Sequence, residues 1–204
     1  MQLSHVSYPG RGAESVTPDE VAHLLQESGA LLEGHFRLSS GRHSHLYLQK
    51  FRVFERPEPT RALGAALAAK FEDFDAVASP ALGAVVLGFS VALATGARSV
   101  FAERAGGELT LRRGFRLGSG ERVLVVEDVI TTGGSAREVV ELARRRGAEV
   151  IGVGALVDRS EAPLDLGTPL RALLRLEASS WEAGECPLCA EGRALEDPGS
   201  RRLA

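Results

Sequence analysis

Apolar residues recur along this chain with two different periods, and the switching between those periods predicts its elements. From Thr17 the spacing is helical: Val21, Leu24, Leu25 and Ser28 share one face. Thr17 supplies an N-cap hydroxyl, Pro18 a first-turn proline and Glu20 the capping-box carboxylate, and Gly29 closes the helix. Phe36 to Leu48 instead alternates around a break at Ser39-Ser40-Gly41, which predicts two short strands separated by a bend. Helical spacing returns from about Thr60 to Phe71, with Leu63, Leu67 and Phe71 on the stripe. A strand at Ala76-Val77-Ala78, a Ser79-Pro80 turn, a helix from about Gly83 to Thr95 and a strand from Arg98 to Ala102 follow.

Between Glu103 and Arg116 the apolar residues thin out, and Gly106, Gly107 and Gly114 fall among Arg104, Arg112, Arg113 and Arg116. This pattern predicts a mobile basic loop with at most a short hairpin at Leu109 to Leu111. Val123 to Val126 is unbroken apolar sequence, as a central parallel strand covered on both faces requires. A helix from about Ala136 to Arg146 turns Val139, Val140 and Leu142 inward, sets Arg144 to Arg146 at its negative end and stops at Gly147. Val150 to Val157 is the next buried strand. Strand, helix and strand in alternation make the fold α/β, a doubly wound and mainly parallel sheet with helices on both faces. Ligands of such sheets bind beyond the carboxyl ends of the strands, here in the loops after Ala78, Ala102, Val126 and Val157.

Composition narrows the partners. With 204 residues, 44% of them apolar, the chain suits one domain with one good core. A net charge of -3 argues against a nucleic-acid-wrapping surface, and no apolar run approaches a membrane span, so the expected partners are small molecules and the expected compartment the cytoplasm. Arginine supplies all the basic residues except Lys50 and Lys70, a bias assigned to genomic base composition. The only cysteines, Cys186 and Cys189 in one CPLC, form no disulfide framework.

The chemistry concentrates in Glu127-Asp128-Val129-Ile130-Thr131-Thr132-Gly133-Gly134-Ser135, which carries a buried strand through two acids into a turn that opens a helix. Glycines let backbone approach an anion, the first helical amides point at it, and Thr131, Thr132 and Ser135 add hydroxyls. The adjacent carboxylates suit the hydroxyls of a sugar whose phosphate sits in the turn. A P-loop would need a lysine here and a dinucleotide fold its GxGxxG, and neither is present.

Val123 to Ser135 resembles the phosphoribosyl pyrophosphate signature of the type I phosphoribosyltransferases. Phe36 to Ser44, with its Leu38-Ser39-Ser40-Gly41-Arg42 centre, Val157-Asp158-Arg159, the Phe101 to Phe115 loop, the CPLC and Pro198 to Arg201 together resemble the orotate phosphoribosyltransferases, from about residue 17 to the end. That resemblance implies a glycosyltransferase of pyrimidine (UMP) biosynthesis that moves phosphoribosyl to N1 of orotate. It implies one domain with a loose arm (1–16), an N-terminal hood (17–58), a phosphoribosyl pyrophosphate-binding core (59–180) and a C-terminal tail (181–204). Glu127 through Ser135 would bind the ribose 5-phosphate, with Asp128 nearest the reacting sugar and Glu127 beside it. Thr131 and Arg159 would contact orotate, with Tyr47 and Leu48 packing beside the base. Arg104, Arg112 and Arg113 would reach the pyrophosphate of the neighbouring subunit in a homodimer. Mg²⁺ would be held through substrate and water rather than by protein side chains. Ser39 and Gly83 depart from the family, standing where many members carry lysine.

The remaining candidates are weaker. His43 and His45 lie two apart, yet with no third ligand nearby they are read as hydrogen-bonding residues. Cys186 and Cys189 make half a zinc site, completed only by a second chain, and are read as packed thiols. Two rival functions remain at this stage: a phosphoribosyltransferase for a purine base, which leaves the SSGRHS segment and Arg159 without a role, and a non-enzymatic phosphoribosyl pyrophosphate sensor, for which no helix-turn-helix or basic face is evident.

Overall fold

A computed structural model describes residues 16–38, 40–177 and 179–198. The arm up to residue 15, the Ser39 and Ala178 positions and the tail from Gly199 onward lie outside the described residues.

The chain opens with α1 (Pro18–Glu27), whose Thr17 hydroxyl and Glu20 carboxylate form the reciprocal capping box, and Val21 and Leu25 bury its apolar face. Two strands, β1 (Leu31–Arg37) and β2 (His43–Leu48), then pair antiparallel with a bulge between Glu33 and Phe36. A short α2 (Phe51–Phe54) leads into α3 (Pro57–Ala68). The core follows as β3 (Ala76–Pro80), α4 (Val85–Thr95), β4 (Arg98–Ala105), β5 (Glu108–Leu111), β6 (Arg122–Ile130), α5 (Gly134–Arg145), β7 (Glu149–Asp158) and β8 (Leu170–Arg175). The tail adds β9 (Ser180–Trp181), a 3₁₀ turn and α6 (Pro187–Ala190).

The six-stranded sheet runs in the order β5-β4-β3-β6-β7-β8, parallel except for β5. Period-two alternation in β6 divides the core: Leu124 and Val126 pack with α3, α4 and the hood, whereas Val123 and Val125 pack with α5. From β3 the chain crosses through α4 to β4 on one side, and from β6 through α5 to β7 on the other. The strand order therefore reverses between β3 and β6, the point at which a doubly wound sheet opens its ligand crevice. A second sheet of three strands, β1-β2-β9, forms the hood, so the tail contributes one of its strands.

Four expectations are corrected. β3 continues through Ser79 and Pro80, and β6 through the acids to Ile130, so the crevice loops begin later than expected, at Ala81 and Thr131. The loop after β7 likewise begins at Arg159. The segment after Ala102 is no loose loop. β4 continues to Ala105, Gly106 and Gly107 turn with φ of 60° and 93°, and β5 returns alongside it. Two glycines with positive φ make the tight hairpin that Leu109, 5% exposed, pins to the core.

Candidate active site

Glu127 and Asp128 enter the crevice from the carboxyl end of β6 and are 5% and 2% exposed. As strand neighbours they meet different partners. Ser135 Oγ donates to Glu127 Oε2 at 2.6 Å, and the Asp128 amide donates to Glu127 Oε1 at 3.1 Å. Burial, reinforced by the adjacent Asp128 charge, pushes the Glu127 carboxyl up to about 7. Asp128 Oδ1 accepts the Val129 amide at 2.6 Å. Its Oδ2 faces the Lys50 ammonium at 2.5 Å without hydrogen-bond alignment, so charge alone offsets it.

Lys50, just past the end of β2, is the residue that sequence reasoning missed. One signal was available: in a chain whose cations are almost all arginine, a retained lysine is an outlier. The chain leaves β3 through a cis Ala81-Leu82 peptide and reaches Gly83, where a Cβ would overlap Asp128 Oδ2 and lie 2.7 Å from Lys50 Nζ. The Lys50 ammonium thus stands beside Gly83, the position that departs from the lysine of many family members.

The turn after β6 presents Thr131, Thr132, Gly134 and Ser135 to solvent, with Val129 and Ile130 closing the strand behind them. Gly133 is the αL hinge, with φ of 73°, from which α5 starts, and a Cβ there would press on Leu164 and Leu166 at 3.1 and 3.0 Å. The amides that open the 12-residue α5 follow directly, a ready anion cradle. Arg159 is tied to this turn, since its amide donates to the Ile130 carbonyl at 2.8 Å. Asp158 pairs with Arg175 instead, at 3.0 Å. No carboxylate among the described residues offsets the Arg159 guanidinium, and burial alone lowers its pKa.

The other candidates are placed differently. Tyr47 packs on Phe36 at 5.6 Å between centroids and donates to the Pro198 carbonyl at 3.4 Å, while Leu48 packs against the core. In the hairpin, Arg104 pairs with Glu138 of α5 at 2.9 Å and Arg113 grips Glu103 through two bonds of 2.8 and 2.9 Å. These pairs raise both guanidinium pKa values. Arg113 has φ of 55°, unusual for a residue with a Cβ, and Arg112 beside it is exposed. The Phe115 ring packs edge-on against Phe101 at 4.9 Å. The region is therefore less polar in its packing than its composition implied.

A strand, an acid pair and a Thr-Gly turn at the β3/β6 switch point define a phosphoribosyltransferase, and residues 60–185 match the family model of the phosphoribosyl transferase domain. Over 187 residues the chain is 46% identical to the orotate phosphoribosyltransferase of Caldanaerobacter subterraneus subsp. tengcongensis, covering 91% of this chain and 98% of the relative. The crystal structure of orotate phosphoribosyltransferase from Aeropyrum pernix superposes with a TM-score of 0.66 at 28% identity, covering 77% of this chain and 94% of that one. The Mycobacterium tuberculosis orotate phosphoribosyltransferase, solved in complex with 5-phospho-alpha-D-ribosyl 1-diphosphate, superposes at 0.60 with 28% identity, over 77% of this chain and 94% of that one. The chain belongs to the orotate phosphoribosyltransferase family.

Proposed function

We propose that the chain transfers the 5-phosphoribosyl group of phosphoribosyl pyrophosphate to N1 of orotate, releasing pyrophosphate and forming orotidine 5'-phosphate. The observation that carries this reading is the cradle at the start of α5, set directly after a buried Glu127-Asp128 pair and beside Lys50. In the reaction the C1–O bond to pyrophosphate breaks as N1 attacks, leaving positive charge on the ribose and negative charge on the leaving group. Asp128, paired with Lys50, stabilises the ribose side, and the amides and hydroxyls from Thr131 to Ser135 hold the 5-phosphate in place. Arg159, a partly buried cation without a carboxylate among the described residues, suits the carboxylate of orotate, with the Thr131 hydroxyl as a neighbouring donor. Tyr47 and Leu48, neighbours at the end of β2, would flank the base from the hood side.

The donor set fits a Mg²⁺ held mainly by substrate and water. Glu127 is committed to Ser135, so the acid pair itself is not open for direct ligation by both carboxylates. Asp128 Oδ2, which accepts no hydrogen bond here, is the atom that would receive one from a metal-bound water. When bound, the ion offsets the charge that builds on pyrophosphate.

A homodimer completes the reading. Val86, Phe89 and Leu93 recur at helical spacing along α4, and with Leu82 in the turn before it they are 41%, 59%, 43% and 76% exposed, an apolar stripe suited to a second copy of the chain. The hairpin arginines Arg104, Arg112 and Arg113 would then serve the partner's pyrophosphate. No helix among the described residues is long and apolar enough to cross a membrane, and the cytoplasm is the compartment that fits this chemistry. Incubation with phosphoribosyl pyrophosphate, Mg²⁺ and each free base tests the assignment: loss of the orotate absorbance is expected. Turnover of adenine or hypoxanthine with none of orotate would overturn it.

A further inference from the structure

Four side chains from two remote parts of the sequence converge where the hood strands meet the tail. His35 comes from β1, His43 from β2, and Cys186 and Cys189 from the N-terminal turn of α6. One ligand atom from each lies within 4.8 Å of all the others, and His35, His43 and Cys186 are buried. The separations are 3.0 Å from His35 Nε2 to His43 Nδ1, 3.4 Å from Cys186 Sγ to His35 Nε2, 3.7 Å from Cys189 Sγ to His35 Nε2 and 3.3 Å from Cys189 Sγ to His43 Nδ1.

We propose that His35, His43, Cys186 and Cys189 form a structural Zn²⁺ site that staples the C-terminal tail to the β1-β2 hairpin. Tetrahedral zinc with N and S ligands has edges of about 3.4 Å for N to N and about 3.6 Å for N to S, which the four separations approach. The Cys-x₂-Cys spacing, with Cys186 at the N-cap position of α6 and Cys189 in its single turn, places both sulfurs on one side of a centre, and the two imidazoles close the other. The His35 Nδ1 atom lies 3.0 Å from the Arg193 carbonyl, so it carries the proton and turns the Nε2 lone pair inward, as the outer partner of a zinc-bound imidazole does. Hydrogen bonding alone explains the cluster poorly. The His43 ring and two thiols crowd a single Nε2 lone pair, which accepts one good hydrogen bond. A cation satisfies all four groups at once. The half site read from Cys186 and Cys189 is therefore completed within one chain, and His43 joins it without His45, which instead lies 5.9 Å from the Trp181 ring.

A staple has a physical purpose here. The hood sheet has only three strands, and the third, β9, is two residues long, too little to hold itself. Backbone bonds already tie the tail to β1, from Arg37 to Glu196 and from Glu196 to His35, both at 2.8 Å. Metal at the four ligands would fix these contacts and, through β2, the strand whose end delivers Lys50 to Asp128. Four protein ligands leave no open position, so the ion's role is structural rather than catalytic. The proposal is independent of which base the enzyme uses.

The test uses the full chain, expressed without a metal-binding tag and kept reduced. Metal analysis should find about one zinc per chain. After stripping with chelator under denaturing conditions and refolding with Co²⁺, the intense visible bands of tetrahedral cobalt and a thiolate charge-transfer band should appear, and added Zn²⁺ should erase them. Chelator should lower Tm and zinc should restore it. Cys189→Ser and His43→Ala should weaken the cobalt bands, whereas His45→Ala should leave them intact. If those variants do not fold, the wild-type metal content and cobalt spectrum decide alone. Wild-type protein that refolds without taking up stoichiometric zinc or cobalt, gives an octahedral cobalt spectrum, or holds a Cys186–Cys189 disulfide under reducing conditions overturns the site.

Discussion

The cradle at the end of β6 and the basic hairpin at the end of β4 both gather charge at the carboxyl side of one sheet, and they hold it in opposite ways. In the cradle Glu127 and Asp128 are almost fully buried, and each is answered by a partner from a different element: Ser135 at the start of α5 and Lys50 at the end of the hood. In the hairpin Arg104 and Arg113 are exposed and are answered by Glu138 and Glu103 in direct pairs at the surface. Buried charge costs much to leave unanswered, so the cradle is fixed before substrate arrives. Exposed pairs contribute little and exchange readily, so the hairpin arginines are available to another anion. On the proposed reading, a site that must release pyrophosphate would use both: a rigid floor for the sugar and a releasable cover.

The largest expected effect comes from the rigid side. Asp128→Asn should leave the fold intact by circular dichroism and lower kcat at least about tenfold, because it removes charge from beside the forming ribose cation. An unchanged kcat would mean that the buried pair is structural, and the contrast with the hairpin would collapse.

The covering role is broken or sharpened by mixing subunits. If Arg112 and Arg113 serve the partner's site, Arg112→Ala/Arg113→Ala chains and Asp128→Asn chains should rescue one another after subunit exchange. About half the dimers would be mixed, each with one site having both an intact loop and an intact cradle, so activity should rise toward about a quarter of wild type. A loop acting within its own chain would leave the mixture no better than the two variants alone.

Much of the cradle was legible because its logic is local. A strand, two acids, a Thr-Gly turn and a helix lie within thirteen consecutive residues, and each residue type has its own physical reason to be there. The hairpin was less legible, because Glu103 to Ala105 continue a strand only when β5 pairs with them, and pairing is a tertiary fact. Lys50 and the histidine-cysteine cluster were hardest, since Lys50 is 78 residues from Asp128 and His35 is 151 residues from Cys186. Spacing rules see neighbours in sequence, and these groups become neighbours only when the hood closes on the core and the tail. Edge strands such as β8 and β9 escaped for a related reason, being defined by the strands they join.

A smaller effect distinguishes the two acids of the cradle. Burial raises Glu127 from its ordinary 4.5 to about 7, so between those values the folded chain binds more protons than the unfolded one. Stability must therefore fall as pH rises through that window, and the penalty is complete above the folded pKa. Glu127→Gln carries no such penalty. Its Tm relative to wild type should improve between about pH 5 and about pH 8, read by thermal unfolding at both. A constant difference across the range would show that Glu127 is ionised throughout and that the cradle holds two full charges.

The smallest effect belongs to the hairpin, and it is informative because it should be small. Glu103 holds Arg113 by two hydrogen bonds, and the same contact raises the arginine pKa and lowers that of the glutamate. Were this pair a structural element, Glu103→Ala would unfold the hairpin, and the strained αL backbone at Arg113 would relax with it. Both side chains reach water, however, and the hairpin keeps its other anchors: the β4-β5 ladder, Leu109 in the core and the Phe101–Phe115 contact. Glu103→Ala should then move Tm by no more than about 3 °C. Removing a competing carboxylate should also leave Arg113 freer for pyrophosphate, so the KM for phosphoribosyl pyrophosphate should stay level or fall. A large loss of Tm with a raised KM would instead identify Arg113 as a strut of the hairpin, leaving Arg112 and Arg104 to meet the leaving group.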